Sequence, residues 1–151
     1  MSSTSDSNLR VVLDTNVLLS ALVFTGGVMG QFRKLWTSQK ILPYTSKEAV
    51  QELIRVLANP KFKLDSSGQN SLLADYLPFA QVTDVLVNIH QASLPICRDP
   101  LDQIFLVLAR ASQADFLISG DQNLLVLADT PNLSFRILKP IEFLTQFKLM
   151  P

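Results

Sequence analysis

Two short runs of apolar residues, each closed by polar groups at the same relative place, constrain this chain most. Arg10-Val-Val-Leu-Asp14 ends in an acid, and Asp115-Phe-Leu-Ile-Ser119 is followed by Gly120 and Asp121. Apolar runs without alternation suit strands buried on both faces, as in a parallel sheet. The intervals carry helical patterns at Asn16 to Val23, Met29 to Trp36, Ser46 to about Leu57 with Ser46 as N-cap, and Leu101 to Ala111 after Asp99-Pro100. Gly26-Gly27 separates the first two. Ile41 to Tyr44 and Phe135 to Leu138 read as further strands, Gln122 to Leu127 as a short helix, and Pro140 opens a terminal helix. Lys61 to Asn70 reads as a polar loop and Ser71 to Phe79 as a helix stopped near Pro78, while Gln81 to Ile96 fits neither period. Strands alternating with helices imply an α/β chain whose parallel sheet is covered on both faces.

With 151 residues, 48% hydrophobic and 17% charged, the chain has the apolar material for one core over residues 9–151, which excludes disorder as its overall state. Its longest apolar stretch, Ile104 to Ala109, is far below the roughly 20 residues that a membrane-spanning helix needs, so no membrane association is expected. Met1 to Asn8 is Ser-rich and lacks the pattern of a secretory signal; it is expected to be a disordered lead-in. The lone Cys97 cannot close an internal disulfide, which suits a reducing cytoplasm, and is expected to act as a small buried hydrophobe. His90 has no Ser or Cys partner in a nucleophile motif, and Gly26, Gly27 and Gly30 lack the Lys and Ser/Thr of a phosphate loop.

Net charge is zero, yet its layout is uneven. From Arg33 to Lys63 there are seven bases (Arg33, Lys34, Lys40, Lys47, Arg55, Lys61, Lys63) against Glu48 and Glu52. From Asp99 to Asp129 five aspartates face Arg110 alone. A polyanion suits the first region and a cation the second. In an open parallel sheet, ligands bind at the carboxyl ends of the strands, where Asp14 and Asp121 fall. Asp99 and Asp102 start a helix that can reach the same rim. Glu52 falls at the edge of the apolar face that Val50, Leu53, Ile54 and Leu57 define. Each acid also has a structural role open to it: Asp99 and Asp121 as N-caps, Asp102 in a first turn, with Asn16 the cap after Asp14. Carboxylates gathered together repel unless a cation sits among them. Oxygen ligands without a Cys/His cluster select a hard ion, magnesium or manganese.

Four blocks then carry a resemblance: Val12-Leu-Asp-Thr-Asn-Val-Leu-Leu-Ser-Ala21, Ser46-Lys-Glu-Ala-Val-Gln-Glu-Leu53, Cys97-Arg-Asp-Pro-Leu-Asp-Gln-Ile-Phe-Leu106 and Ser119-Gly-Asp-Gln-Asn-Leu-Leu125. In this order, from about Arg10 to Phe147, the chain resembles the PIN-domain family, and most of all its branch of toxin ribonucleases from bacterial toxin-antitoxin pairs. The resemblance implies a three-layer α/β/α sandwich and magnesium- or manganese-dependent endonucleolytic cleavage of RNA. It makes Asp14, Glu52, Asp102 and Asp121 the catalytic acids and metal ligands, with Asp99 an outer ligand and Asn16 and Ser119 supporting polar groups. Asn123 departs from the pattern, standing where a second acid is common after the turn. The implied chemistry is metal-assisted hydrolysis of a phosphodiester, Asp14 and Asp121 serving one ion and Glu52 and Asp102 a second, leaving 5′-phosphate and 3′-hydroxyl ends. A cognate antitoxin and a homodimer are family-level expectations.

Candidates to hold the RNA backbone are Lys47 and Arg55, on the helix that bears Glu52, then Arg33, Lys34, Lys61 and Lys63. Trp36 or Tyr44 would be stacking platforms, although aromatics at such positions are more often core, and Arg98 a phosphate clamp or an ion-pair partner of Asp99. Two other readings stay open at this stage. A PIN-like module could grip RNA or protein without cutting, although it would need no repelling acids. A metal-dependent phosphatase also places acids at strand ends, but would want a lysine after a later strand, where Ser119-Gly-Asp121 stands instead.

Overall fold

The computed structural model describes residues 8–149, so all but Asn8 of the expected lead-in lies outside the described residues. The chain runs β1 (Leu9–Leu13), α1 (Thr15–Val23), α2 (Gly27–Thr37), β2 (Ile41–Thr45), α3 (Lys47–Leu57), a 3-10 turn (Pro60–Phe62), α4 (Ser66–Ala74), a second 3-10 turn (Leu77–Phe79), β3 (Gln81–Val82), α5 (Val87–His90), α6 (Pro100–Ala111), β4 (Phe116–Ile118), α7 (Gln122–Leu125), β5 (Arg136–Leu138) and α8 (Pro140–Leu149). The five strands form one parallel sheet in the order β3-β2-β1-β4-β5. The chain first builds outward from β1 to β2 and β3, then returns to the other side of β1 for β4 and β5. The strand order therefore reverses between β1 and β4, where Val11, Val12 and Leu13 pair with Phe116, Leu117 and Ile118.

Strand residues alternate between two helical layers, as their period of two requires. Val11, Leu13, Phe116, Ile118 and Leu138 face α1, α2 and α8 in a core that holds Leu22, Phe32, Trp36 and Phe143. Val12, Leu117 and Ile137 face α6, whose Phe105 to Ala109 run is buried. Helix α3 serves both cores, giving Leu53 and Leu57 to one and Ala49 to the other. This is the expected three-layer α/β/α sandwich. No single described helix is long and apolar enough to cross a membrane; α1 and α2 reach that length only as a pair bent by 95°.

Several local expectations are corrected. The supposed polar loop Lys61 to Asn70 contains the start of α4, because Asp65 caps it by accepting from Gly68 N at 2.7 Å. That helix stops at Ala74 rather than running to Phe79, and Leu77–Phe79 is a separate 3-10 turn. Asp14, not Asn16, caps α1, accepting from Val17 N at 2.9 Å. On α3 the buried face is Ala49, Leu53 and Leu57, whereas Ile54 is exposed, since the helix straddles two cores and is rotated accordingly. The ambiguous stretch after Gln81 yields β3 and α5, then a loop pinned to α6 by Gln103, whose Oε1 accepts from Cys97 N and whose Nε2 donates to Pro95 O and Gln91 Oε1.

Candidate active site

The reversal of strand order leaves an opening at the carboxyl ends of β1 and β4, and the acids flank it. Asp14 follows β1 and is almost fully buried. One of its oxygens takes the Val17 N–H and the other a short hydrogen bond from Ser119 Oγ, itself fully buried. Ser119 Oγ also accepts from Asp121 N at 2.9 Å, so one hydroxyl fixes the Asp14 carboxylate and the turn that carries Asp121. Asp121 in turn caps α7 through Asn123 N at 2.8 Å. At the start of α6, Asp99 caps the helix through Leu101 N at 2.9 Å, with Pro100 at the first helical position and Asp102 in the first turn. The structural roles open to these acids are thus filled, and the same residues still face a common space.

That space is a cavity of about 160 Å³ whose walls include Asp14, Asn16, Glu52, Asp99, Asp102 and Asp121. Every acid singled out in the sequence reaches it. Thr15, Val56, Leu101 and Phe105 complete the lining; the first, third and fourth fall within the blocks that carry the resemblance, but nothing in the sequence marks any of the four as a site residue. Glu52 points inward beside Val56 and is held by Arg55, whose Nη2 and Nε donate to Glu52 Oε1 at 2.7 and 3.1 Å. Asn16 is exposed at the rim, so Ser119 rather than Asn16 is the group that orients a carboxylate.

Electrostatics mark Asp102. Burial first, then the charge of Asp121 and a side-chain hydrogen bond with it, then Asp99 and Asp14, push its carboxyl up to about 7 from the ordinary 3.8. Its Oδ2 is buried and receives no N–H or hydroxyl donor, leaving the neighbouring Asp121 carboxylate as the group it shares a proton with. Burial also raises Asp14, with its bonds to Ser119 and Val17 acting against the rise. Among the described residues, no group of three His, Cys, Asp or Glu side chains is already drawn together tightly enough to hold a metal ion. That does not exclude a hard ion such as magnesium, which keeps several waters and takes only one or two carboxylates together with substrate phosphate. A buried carboxylate oxygen that receives no N–H or hydroxyl donor, among other carboxylates, fits such a cation.

The bases are more scattered. Lys47 and Lys34 are exposed, and Arg55 stands at the Glu52 wall with its side chain 67% exposed. Arg33 is tied into the fold by a short bond to Leu22 O and an ion pair with Asp75 at 3.6 Å, so it does not reach the cavity. Trp36 is no stacking platform: it is buried edge-to-face on Tyr76 and donates to Asp75 O. Tyr44 is half-buried under the Arg10 guanidinium, 4.5 Å from its ring centre. Lys61 and Lys63 are exposed beyond the end of α3, and Arg98 forms no ion pair among the described residues. Cys97 is buried, its thiol raised by desolvation and donating to Asn123 O, while His90 Nδ1 accepts from Leu86 N.

The sequence profile of the PIN domain matches residues 10–123, which take in nearly all of β1, then β2 to β4, and all five acids of the cavity. The chain belongs to the PIN-domain family. An uncharacterized protein of Methanocaldococcus jannaschii is 31% identical over 146 residues, covering 93% of this chain and 92% of that one. Among solved structures, VapBC2 of Rickettsia felis, bound to a DNA fragment from their promoter, superposes with a TM-score of 0.53 at 15% identity over 87% of this chain and 98% of that one. PAE2754 of Pyrobaculum aerophilum gives 0.56 at 12% identity over 94% and 91%. At such identities these two speak for the fold. PIN domains are generally nucleases, and this PIN domain gathers Asp14, Glu52, Asp99, Asp102 and Asp121 around one cavity.

Proposed function

We propose that this PIN domain is a magnesium- or manganese-dependent endoribonuclease, the toxin component of a toxin-antitoxin pair. The observation that carries the nuclease reading is the acid cavity at the strand reversal, where one buried carboxylate oxygen receives no N–H or hydroxyl donor. When bound there, a hard divalent ion supplies Lewis acidity toward phosphate and lowers the pKa of water. Asp14 and Asp121 would hold one such ion, with Glu52 and Asp102 toward a second and Asp99 at the outer edge. The chain's own contribution is orientation. Ser119 and the Val17 N–H fix the Asp14 oxygens, and the Ser119 bond to Asp121 N sets the spacing between the two strand-end acids. Arg55 restrains Glu52 and turns a largely exposed guanidinium outward, where it and Lys47, on the same helix, would receive backbone phosphates, with Lys34 further out.

The toxin assignment is supported by the sequence resemblance and by the fold shared with a VapBC2 complex. It implies a small antitoxin partner whose gene is adjacent, and growth arrest when this chain is expressed without it. The catalytic test is cleavage of an end-labelled RNA pool by purified protein with magnesium or manganese, beside a chelator control and Asp14→Asn. Cleavage that leaves 5′-phosphate ends and disappears in both controls is the expected result. Folded protein that never cuts, even with manganese, would overturn the reading in favour of a non-catalytic module.

A further inference from the structure

The acid cavity is too small for a nucleoside. Sites for small organic ligands run to roughly 300–1,000 Å³, whereas this cavity measures about 160 Å³, room for phosphate and ions. A second, shallower groove of about 450 Å³ adjoins it and shares Asn16 and Asp121 with it. Beyond those two, its walls include Ser20 of α1, Met29 of α2, Gly120 and Pro140. Apart from Asp121 this lining is uncharged and contains no Lys or Arg. Met29 and Pro140 offer apolar surface, and Ser20 and Asn16 offer hydrogen-bonding groups around it. The apolar groove lined by Val85, Val87, Pro100 and Ile104 shares no lining residue with the acid cavity.

Resting on the nuclease reading, we infer that the Ser20–Met29–Pro140 groove is a nucleoside subsite. It takes the unpaired base and ribose next to the scissile phosphate, while the phosphate itself lies across the shared Asn16–Asp121 rim. The backbone supports this use. Gly120 meets no atom within 4 Å of the position its Cβ would occupy, so the turn between Ser119 and Asp121 leaves the groove floor open. Single-stranded RNA is read through bases splayed out onto such surfaces, with polar groups at their edges.

The test fills the groove with Ser20→Tyr and compares it with the wild type on two substrates in manganese: a short single-stranded RNA, and bis(p-nitrophenyl) phosphate, a diester with no base or sugar. The expected result is that kcat/KM for RNA, divided by that for the small diester, falls about tenfold or more, chiefly through KM. An unchanged ratio would overturn the subsite. Met29→Ala, which removes one apolar wall, gives the second reading should Ser20→Tyr fail to fold by circular dichroism. If the wild type cleaves neither substrate, it is the nuclease reading that fails, and binding decides the subsite. Fluorescence anisotropy of labelled RNA in calcium should then show affinity weakened about tenfold by either variant; equal affinities, or no binding by the wild type, would overturn it.

Discussion

Asp102 lines the acid cavity and Arg55 holds Glu52 in its wall, and the two residues call for opposite experiments. Asp102 holds its proton up to about pH 7 in the folded chain, against 3.8 for a free side chain. Between those values the native state binds more protons than the unfolded state, so this residue makes stability fall as pH rises through that window. Above about 7 the carboxylate is charged in both states and the full penalty is present. Asp102→Asn removes the repulsion. In chelator, the variant should therefore melt level with the wild type near pH 4 and above it at pH 8, by about 2–4 °C for each kcal/mol relieved. A Tm difference that does not grow with pH would refute the assignment. Arg55 is the reverse case, because its bond to Glu52 is an i,i+3 pair with an exposed guanidinium. Arg55→Ala should change stability by about 0.5 kcal/mol or less in urea unfolding. It should nevertheless weaken RNA binding and lower the slope of log affinity against log salt by about one, as loss of a phosphate contact does.

At the scale of elements, what was legible followed from local rules that tertiary packing did not override. The cap Ser46, the Asp99-Pro100 start of α6 and the Pro140 start of α8 satisfy helix termini in any context, and the structure has all three. The apolar runs at Val11 and Phe116 specify buried strands for the same reason. Legibility failed where long-range contacts decide. The rotation of α3 depends on two cores it meets at once, and β3 is a two-residue edge strand that exists through pairing with Tyr44 and Thr45. Between stacking platform and core, Trp36 takes the core role, and what settles it is Tyr76, forty residues away. Asp14 and Asp121 were legible since strand-end polar residues need no distant partner to stand out, while Phe105 and Val56 in the cavity wall look like ordinary core. Gly30 shows a further gap. It is a buried helical glycine whose Cβ would stand 2.5 Å from Thr25 O, so the turn between α1 and α2 packs directly on its backbone. Gly30→Ala should cost about 1–3 kcal/mol despite the better helix propensity of alanine, because backbone must move to admit the methyl group. Urea denaturation checks this; a stabilised variant would mean that the turn yields freely.

For the whole molecule, zero net charge conceals a folded state that concentrates its acids. The reversal of strand order brings Asp14, from the first strand, against Asp121, from the fourth, and α6 adds Asp99 and Asp102. The unfolded chain keeps these groups apart, so folding creates the repulsion and a cation that binds the native state relieves it. Such an ion stabilises by linkage, about 2.7 kcal/mol at a hundredfold excess over its dissociation constant, or roughly 5–11 °C in Tm for a chain of this size. At pH 5.5 the ion must displace the proton on Asp102, whereas at pH 8 that proton is gone. Manganese should therefore raise Tm more at pH 8 than at pH 5.5, and Asp14→Asn should lose most of the rise at both. Sodium chloride at matched ionic strength separates ligation from general screening, which acts on exposed charges far more than on a buried cavity. A manganese shift that survives Asp14→Asn unchanged, or that is reproduced by sodium chloride, would mean that the ion is not held where β1 and β4 end.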